Sequence, residues 1–397
     1  MSTPVERRIL LGITGGIAAY KAVELTRLLV KEDVAVRVVM TAAAERFITP
    51  LTLQAVSGHP VHDDLWGADD HGGMAHIDLS RSADAIVVAP ASADFLAKLA
   101  HGSADDLLST LCLARACPLI VAPAMNRQMW EHPATQRNMR TLRDDGVVIL
   151  GPDSGVQACG ETGMGRMSEP EALCDQIVGW FQPKLLEGLT VVVTAGPTFE
   201  RVDAVRGLTN QSSGRMGFAV ARAARDAGAR VILVSGPTAL PPPAGVDVVP
   251  VLSAQDMLKA VEKAMPECQM FIGVAAVADY TPLNPREQKM KKDARILTLE
   301  LAPTADILAN VANRANPPFC VGFAAESENL DEYAEAKRRR KNLPLLAANL
   351  AQDAFGADDN TLILFDDAGR HPLPRASKLI QARRLIEHAA RLYRQHA

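Results

Sequence analysis

The chain has 397 residues, 48% of them apolar and 22% charged, with a formal net charge of −4. That length exceeds what one compact core usually holds and predicts two domains. The slight acidity excludes the basic surface of a nucleic-acid binder, and no apolar run reaches the roughly 18 residues of a membrane span.

The opening MSTPVERRILLGITGG carries two arginines, but its apolar stretch is short and runs into a glycine-rich turn. It reads as a first strand and not as a signal peptide. Cysteines stand at 112, 117, 159, 174, 268 and 320, with no C-x-x-C pair and no zinc spacing. Reduced thiols and a cytoplasmic setting are expected.

In chain order, the first half predicts strands at Arg8–Thr14, Val34–Thr41, Ala85–Pro90, Leu119–Ala124 and Val147–Leu150. Helical periods lie between them, as in Ile17–Val30 with apolar residues at 18, 22, 25 and 29. Valine- and isoleucine-rich runs separated by helices predict an α/β fold whose parallel sheet is covered on both faces. Phe181–Gly188 reads as a connector, dividing the chain into 1–180, a linker at 181–189, and 190–397.

The alternation then restarts. Strands are predicted at Thr190–Ala195, Arg230–Ser235, Val246–Val251, Met270–Ala275, Phe319–Ala324 and Thr361–Phe365. Helices are predicted at Gly214–Ala227, Ala254–Ala264, Ala305–Arg314, Asn329–Lys341 and Ala376–Arg394. TALPPPAG (238–245) is too stiff for either and reads as a surface loop.

Chemistry gathers at predicted strand ends. GITGGIAAYK (12–21) turns sharply at Gly15 and Gly16 and offers helix N–H groups to an anion. PASADFLAKLAHGSADDLLST (90–110) and APAMN (122–126) each place small or amide residues at the carboxyl end of a buried strand, where ligands bind in open α/β sheets. The glycine-rich GVQACGETGMGRM (155–167) suits neither helix nor strand; it is a surface loop or a lid carrying Cys159 over a site. His76 lies in MAHIDLS, at the start of a strand-like segment.

These motifs, in this order, resemble the flavin-dependent cysteine decarboxylases over the whole first half. The nearest likeness is to the first half of the bifunctional bacterial phosphopantothenoylcysteine decarboxylase/phosphopantothenate–cysteine ligase family. The resemblance implies FMN, its phosphate on Gly15, Gly16, Ile17 and Ala18, with Thr41 and Ser92 as further contacts. It makes His76 the base, an imidazole suited to neutral pH. It makes Asn126 the binder of the substrate carboxylate. Cys159 becomes the proton donor, since a thiol of ordinary pKa (about 8.5) is mostly protonated at neutral pH. Asp94 stands where many relatives have asparagine.

In the second half, VVVTAGPTFERVDAVRGLTNQSSGRMG (191–217) is a strand, a turn, a polar loop and a glycine-rich helix start. An NAD(P)-dependent short-chain oxidoreductase fused to a flavoprotein domain would share that start. It would also place an acid at the end of the next strand, which here ends VSGP (234–237), and a serine upstream of a Tyr-x-x-x-Lys pair. Tyr333 and Lys337 have the spacing, but 315–326 contains no serine. A third class, a non-catalytic flavoprotein regulator, is opposed by the intact His76, Asn126 and Cys159.

GPTFERVDAVRGLTNQSSGRMG, AAVADY (275–280), EQKMKK (287–292), GFAAE (322–326) and KRRRKNLPLLAAN (337–349) resemble the ligase half of the same bifunctional family. The implied fold is two Rossmann-like domains in tandem, the first of the cysteine-decarboxylase type. The implied reaction joins 4′-phosphopantothenate to cysteine through an acyl-cytidylate made from CTP with Mg²⁺, whose ligands are unknown. Lys289 is the expected triphosphate lysine. Asp279, Ala305, Asp306, Ile307, Leu308, Phe323, Lys337 and Lys341 are expected at the nucleotide. Asn210 is expected to hold the acyl intermediate, and Arg206 the substrate phosphate. Arg215 replaces the lysine common at its turn, keeping charge but not shape. A homo-oligomer is implied, a dodecamer if trimers of the first half combine with pairs of the second.

Overall fold

The computed structural model describes residues 7–65, 75–158, 160–291, 297–326, 329–350 and 359–396. The chain divides into two compact units, Met1–Trp180 and Phe181–Ala397.

The first unit runs β1 (Arg7–Ile13), α1 (Ala19–Lys31), β2 (Val34–Met40), α2 (Pro50–Ser57), β3 (Val61–His62), α3 (Ala75–Ser82), β4 (Ala85–Ala91), α4 (Ala93–His101), α5 (Leu107–Ala114) and β5 (Leu119–Pro123). Then come α6 (Arg127–Glu131), α7 (Pro133–Asp144), β6 (Val148–Ile149), β7 (Asp153–Val156), β8 (Thr162–Arg166) and α8 (Pro170–Trp180). Six strands form a parallel sheet in the order β3-β2-β1-β4-β5-β6. β4 is buried at every position, so it can carry a continuous apolar run instead of an alternating one. Leu10, Ile86, Val88, Phe95, Leu108 and Val121 pack together on one face.

Two expectations fail in this unit. MAHIDLS is not strand-like: residues 75–82 form helix α3. Its end lies three residues before β4, too close for the crossover that two parallel strands of one sheet require. The glycine-rich 155–167 segment does contain strands, since β7 and β8 form an antiparallel hairpin. Its glycines permit this because they let the backbone lie flat on a neighbour. A Cβ at Gly165, where φ is +125°, would come within 2.5 Å of the Met125 carbonyl oxygen.

The second unit runs β9 (Thr190–Ala195), β10 (Phe199–Arg201), β11 (Gly207–Thr209), α9 (Arg215–Asp226), β12 (Arg230–Ser235), β13 (Asp247–Pro250), α10 (Ala254–Ala264), β14 (Met270–Gly273), β15 (Tyr280–Pro282) and β16 (Leu301–Pro303). It continues with α11 (Ile307–Ala312), β17 (Phe319–Glu326), α12 (Leu330–Arg340), β18 (Leu345–Leu350), β19 (Asp359–Asn360), β20 (Ile363–Asp366), β21 (Gly369–Pro372), β22 (Ala376–Ser377) and α13 (Lys378–His396). Eight strands are ordered β13-β12-β9-β14-β17-β18-β20-β21. The sheet is parallel through β18, and β20 and β21 close it antiparallel. It is therefore mixed, and β18 is a strand that pattern reading passed over.

Successive residues of β9 point to opposite faces. Val191 and Val193 meet Ala221, Ala224 and Leu385 of α9 and α13, while Val192 meets Met257, Phe271 and Ile307 on the other side. The expected linker at 181–189 belongs to this unit: Leu186 is fully buried in its core, and the Leu186 N–H donates to the Ala227 oxygen at 2.8 Å. A buried leucine with a satisfied backbone is part of a domain, not a tether. α11 is shorter than predicted because Asp306 caps it from outside, accepting from the Ala309 N–H at 3.0 Å.

No disulfide joins the five described cysteines. Among the described residues, no helix is long and apolar enough to cross a membrane.

Candidate functional sites

In the first unit the strand order reverses between β1 and β4, and in such sheets the crevice beyond that switch point is the binding site. Thr14, at the end of β1, ties the two strands: its hydroxyl donates to the Pro90 oxygen at 2.8 Å and accepts from the Ser92 N–H at 2.9 Å. The Ser92 hydroxyl in turn caps α4 by accepting from the Phe95 N–H. Thr41 follows β2 and accepts from the Ala44 N–H. The Gly15–Ala18 turn leads into α1, whose start has no side-chain cap, leaving the positive end of the helix dipole to an external anion. Glycine is required at 15, because a Cβ there would sit 2.5 Å from the Ala43 Cβ. Gly16 has open space around it, and Ile17 beside it is 63% exposed. Lys21, by contrast, is buried and spent on structure, donating to the Met167 oxygen and pairing with Glu169.

Asn126 follows β5. Its Oδ1 accepts from the Gln128 and Met129 N–H groups and so caps α6. That fixes the amide's orientation: Nδ2, a donor, faces away from the helix, and it donates to Glu161 Oε2 at 2.9 Å. Gln128 Nε2 donates to the other oxygen of the same carboxylate. The Met125 N–H also donates to the Gly165 oxygen, so the β7–β8 hairpin is docked on the PAMN segment. Sequence reading missed Glu161, although it stood inside a quoted motif. His76 lies on helix α3, with its side chain outside the described residues, and Cys159 lies outside them altogether.

In the second unit a cavity of about 640 Å³ opens at the carboxyl ends of β9, β14 and β17. It gathers Asp279, Ala305, Asp306, Ile307, Leu308, Phe323, Lys337 and Lys341, all expected at one nucleotide. Lys337 Nζ donates to the Phe323 oxygen at 3.1 Å, and Lys341 pairs with Asp306 at 2.6 Å. Burial opposes ionisation of Asp306, but the Lys341 ammonium and the Ala309 N–H outweigh it and hold the carboxyl below its ordinary range.

The Ser212–Gly217 turn forms another wall. Gly214 starts α9 at φ +77° without a side-chain cap. A Cβ at Gly217 would lie 2.5 Å from that of Ala195, so the helix packs tightly on β9. Asn210 Nδ2 donates to the Ala276 oxygen, and its Oδ1 accepts from the Ser212 N–H. Asn210 thus joins the turn to the β14 end without itself lining the cavity. Arg206 and Lys289 are not among the lining residues either. Asn349 and Lys378 are. Lys378 opens an ordinary amphipathic helix and carried no signal in sequence.

Asp366, His371 and His388 form a ligand-type cluster that shares no residue with this cavity. Both imidazoles contact one carboxylate, and Arg391 Nη2 lies 2.9 Å from His388 Nδ1. One buried carboxylate thus ties together side chains of β20, β21 and α13, so the cluster reads as a brace between those elements.

Two doubly wound sheets, one with an uncapped glycine turn and one with a cation-lined cavity, describe a tandem α/β protein of the flavoprotein class. Residues 2–182 match the Flavoprotein family model, and residues 186–393 match the model described as DNA/pantothenate metabolism flavoprotein C-terminal domain. The coenzyme A biosynthesis bifunctional protein CoaBC of Vibrio cholerae is 50% identical over 384 residues, covering 95% of this chain and 96% of the relative. That of Escherichia coli strain K12 is 46% identical over 395 residues, covering 98% and 97%. The solved C-terminal domain of a coenzyme A biosynthesis bifunctional protein CoaBC is 38% identical and covers 53% of this chain and 99% of that one, at a TM-score of 0.47. The chain belongs to the CoaBC family of bifunctional coenzyme A biosynthesis proteins. The oxidoreductase alternative finds no support: β12 ends at Ser235 with no acid after it, and Lys337 turns to the Phe323 carbonyl.

Proposed function

We propose that the chain carries out two consecutive steps of coenzyme A biosynthesis. Its second half joins 4′-phosphopantothenate to cysteine at the expense of CTP, and its first half decarboxylates the product to 4′-phosphopantetheine. The observation that carries this reading is the pair of family matches, end to end on one chain, each falling on a unit with its own strand-end site.

A carboxylate does not react with an amine unaided. In this reading the substrate carboxylate attacks the α-phosphorus of CTP and expels pyrophosphate. The cysteine amine then attacks the acyl carbon, expels CMP and loses a proton to solvent. Negative charge grows on the phosphates during the first step, and fixed cations answer it. Lys337 and Lys341 line the cavity for that purpose, Lys289 supplies a further ammonium, and Mg²⁺ shares the triphosphate. Phe323 and Asp279 contact the nucleoside, Ala305–Leu308 contributes a wall, and Asn210 holds the acyl group for attack. Arg206 retains one terminal guanidinium nitrogen for the substrate phosphate.

For decarboxylation, the uncapped α1 start and the cramped Gly15 suit FMN, whose phosphate the Gly15–Ala18 turn would hold, with the exposed Ile17 free to meet the rest of the group. When bound, FMN supplies hydride acceptance and return, which makes the cysteine-derived carbon an electron sink for the departing CO₂. His76 removes a proton, the outward Nδ2 of Asn126 grips the substrate carboxylate, and Cys159 returns a proton at the end. The working form is a homo-oligomer, up to a dodecamer, which light scattering would measure.

The test is a product assay with phosphopantothenate, cysteine and either CTP or ATP. Yellow protein, pyrophosphate, CO₂ and 4′-phosphopantetheine are expected with CTP. A colourless preparation that releases neither pyrophosphate nor CO₂ would overturn the reading. Cys159→Ser should release one CO₂ per bound flavin in a single turnover and then stall before the saturated thiol; unimpaired 4′-phosphopantetheine production would refute the donor role.

A further inference from the structure

Asp203 sits in the loop between β10 and β11, with its side chain wholly shielded from solvent. Its Oδ1 accepts from the Val205 and Arg206 N–H groups, both at 2.8 Å. Its Oδ2 accepts from Arg206 Nε at 2.9 Å and Nη2 at 2.6 Å, and from the Met290 N–H at 3.1 Å. Arg206 Nη2 also donates to the Met290 oxygen at 2.9 Å. The Arg286 N–H donates to the Val202 oxygen at 3.0 Å.

The first two contacts merely close the 203–206 turn. The last three reach across to the strap that carries Lys289 and Lys291. Both peptide groups flanking the Met290 α-carbon are gripped, one through its N–H by the carboxylate and the other through its C=O by the guanidinium. A peptide held from both ends fixes the α-carbons on either side, those of Lys289 and Lys291. A buried carboxylate receiving five donors, two of them from a guanidinium, is far stronger than a loop needs for its own closure. The Arg206 guanidinium and these N–H groups also hold the Asp203 carboxyl well below the usual carboxylate range, so the grip persists throughout the neutral pH range.

We propose that Asp203, acting with Arg206, is a positioning residue of the ligase half: it clasps the 286–290 strap and so sets where the Lys289 ammonium is presented. This rests on the reading that Lys289 serves the triphosphate.

Asp203→Asn in the full-length protein keeps the shape but puts an amide donor against N–H groups. Ligase kcat should fall by about 10–100-fold, the cost of misplacing a catalytic group by roughly an ångström, while decarboxylation of supplied phosphopantothenoylcysteine is unchanged. Trypsin should cut after Lys289 or Lys291 several-fold faster than in wild type. Asp203→Asn combined with Lys289→Gln should ligate no worse than Lys289→Gln alone, because a misplaced lysine and a missing one cost the same step. Should Asp203→Asn fail to fold, Met290→Pro, which removes the clasped N–H while also fixing φ at 290 and biasing Lys289 toward extended backbone, should lower ligase kcat in the same way and speed the tryptic cut after Lys291, the bond after Lys289 itself becoming resistant to trypsin. Wild-type ligation and wild-type tryptic rates in either folded variant, or additive losses in the double variant, would overturn the clasp. A Lys289→Gln protein that ligates normally would instead sink the lysine's role, leaving the tryptic comparison to decide whether the clasp exists.

Discussion

The two units open alike. In each, a central strand is followed by a glycine turn and a helix, directly from β1 to α1 and across the β10–β11 hairpin from β9 to α9, and the chain reverses its winding beside that strand. They differ in what the strand-end loops bring. Thr41, Ser92 and Asn126 follow β2, β4 and β5 in the first unit, all uncharged, whereas Arg215, Lys337, Lys341 and Lys378 gather in the second. One scaffold accepts a site that binds through backbone and neutral donors or one that gathers cations. The glycines differ as well. Gly15 is constrained by a neighbour's Cβ, and Gly214 by its own left-handed backbone.

The sharpest test of the division of labour is Lys289→Gln. Loss of a cation at developing phosphate charge should cost about 10²–10³-fold in ligase kcat, with decarboxylation of supplied phosphopantothenoylcysteine untouched; parallel loss of both in a folded protein would erase the contrast. Next come the glycine turns. Gly15→Ala forces backbone against Ala43 and should cost about 1–3 kcal/mol together with most bound flavin, read as the ratio of 450 nm to 280 nm absorbance. Gly214→Ala should cost about 1–2 kcal/mol from φ alone and leave that ratio unmoved. A drop in the ratio for Gly214→Ala would mean the two turns are not independent.

A smaller effect separates the units by pH. Arg338 first, then Arg339, hold the Glu335 carboxyl down to about 2, from an ordinary 4.5. A depressed folded pKa gives stability that is whole above the unfolded value and drains as pH falls through the folded one. Glu335→Gln should therefore lower the second unit's melting temperature by about 2–4 °C at pH 7, the equivalent of about 1 kcal/mol in a domain this size. The deficit should shrink between pH 4.5 and 2. A difference that persists at pH 2 would deny the pair. Last, burial pushes the Cys112, Cys268 and Cys320 thiols up to about 12. The buried Cys112 and Cys320 should not label with iodoacetamide at pH 8 while the protein is folded, and the half-buried Cys268 should label more slowly than a free thiol; prompt modification of Cys112 or Cys320 would contradict their burial.

The strongest elements were legible because their patterns are local. Thr190–Ala195 and Ala254–Ala264 stand where the strand–helix alternation put them, since a buried parallel strand must be a short apolar run; in the structure Ser253 caps the helix and fixes its start. The errors share a cause too. α3 was hidden because MAHIDLS has no clear period, and the short gap to β4 excludes only a strand running parallel to it. The β7–β8 hairpin was hidden because glycine-rich strands depend on the surface they lie on. Most of the second unit's cavity wall was legible as motifs, yet Lys378 and Asn349 were not, because a cavity selects residues by where helices end in space.

The sequence by itself determined the α/β alternation and the two glycine turns, because these follow from short-range period and backbone freedom, and its motifs carried the resemblance that implied the chemistry of each half. Only the tertiary structure decided which side chains are spent before any ligand arrives: Lys21 on Met167 and Glu169, Asn126 on α6 and Glu161, Arg206 on Asp203 and Met290. The bonds of Lys21 to Met167, Asn126 to Glu161 and Arg206 to Met290 join residues far apart in the chain, and they form only when folding brings a donor and an acceptor together.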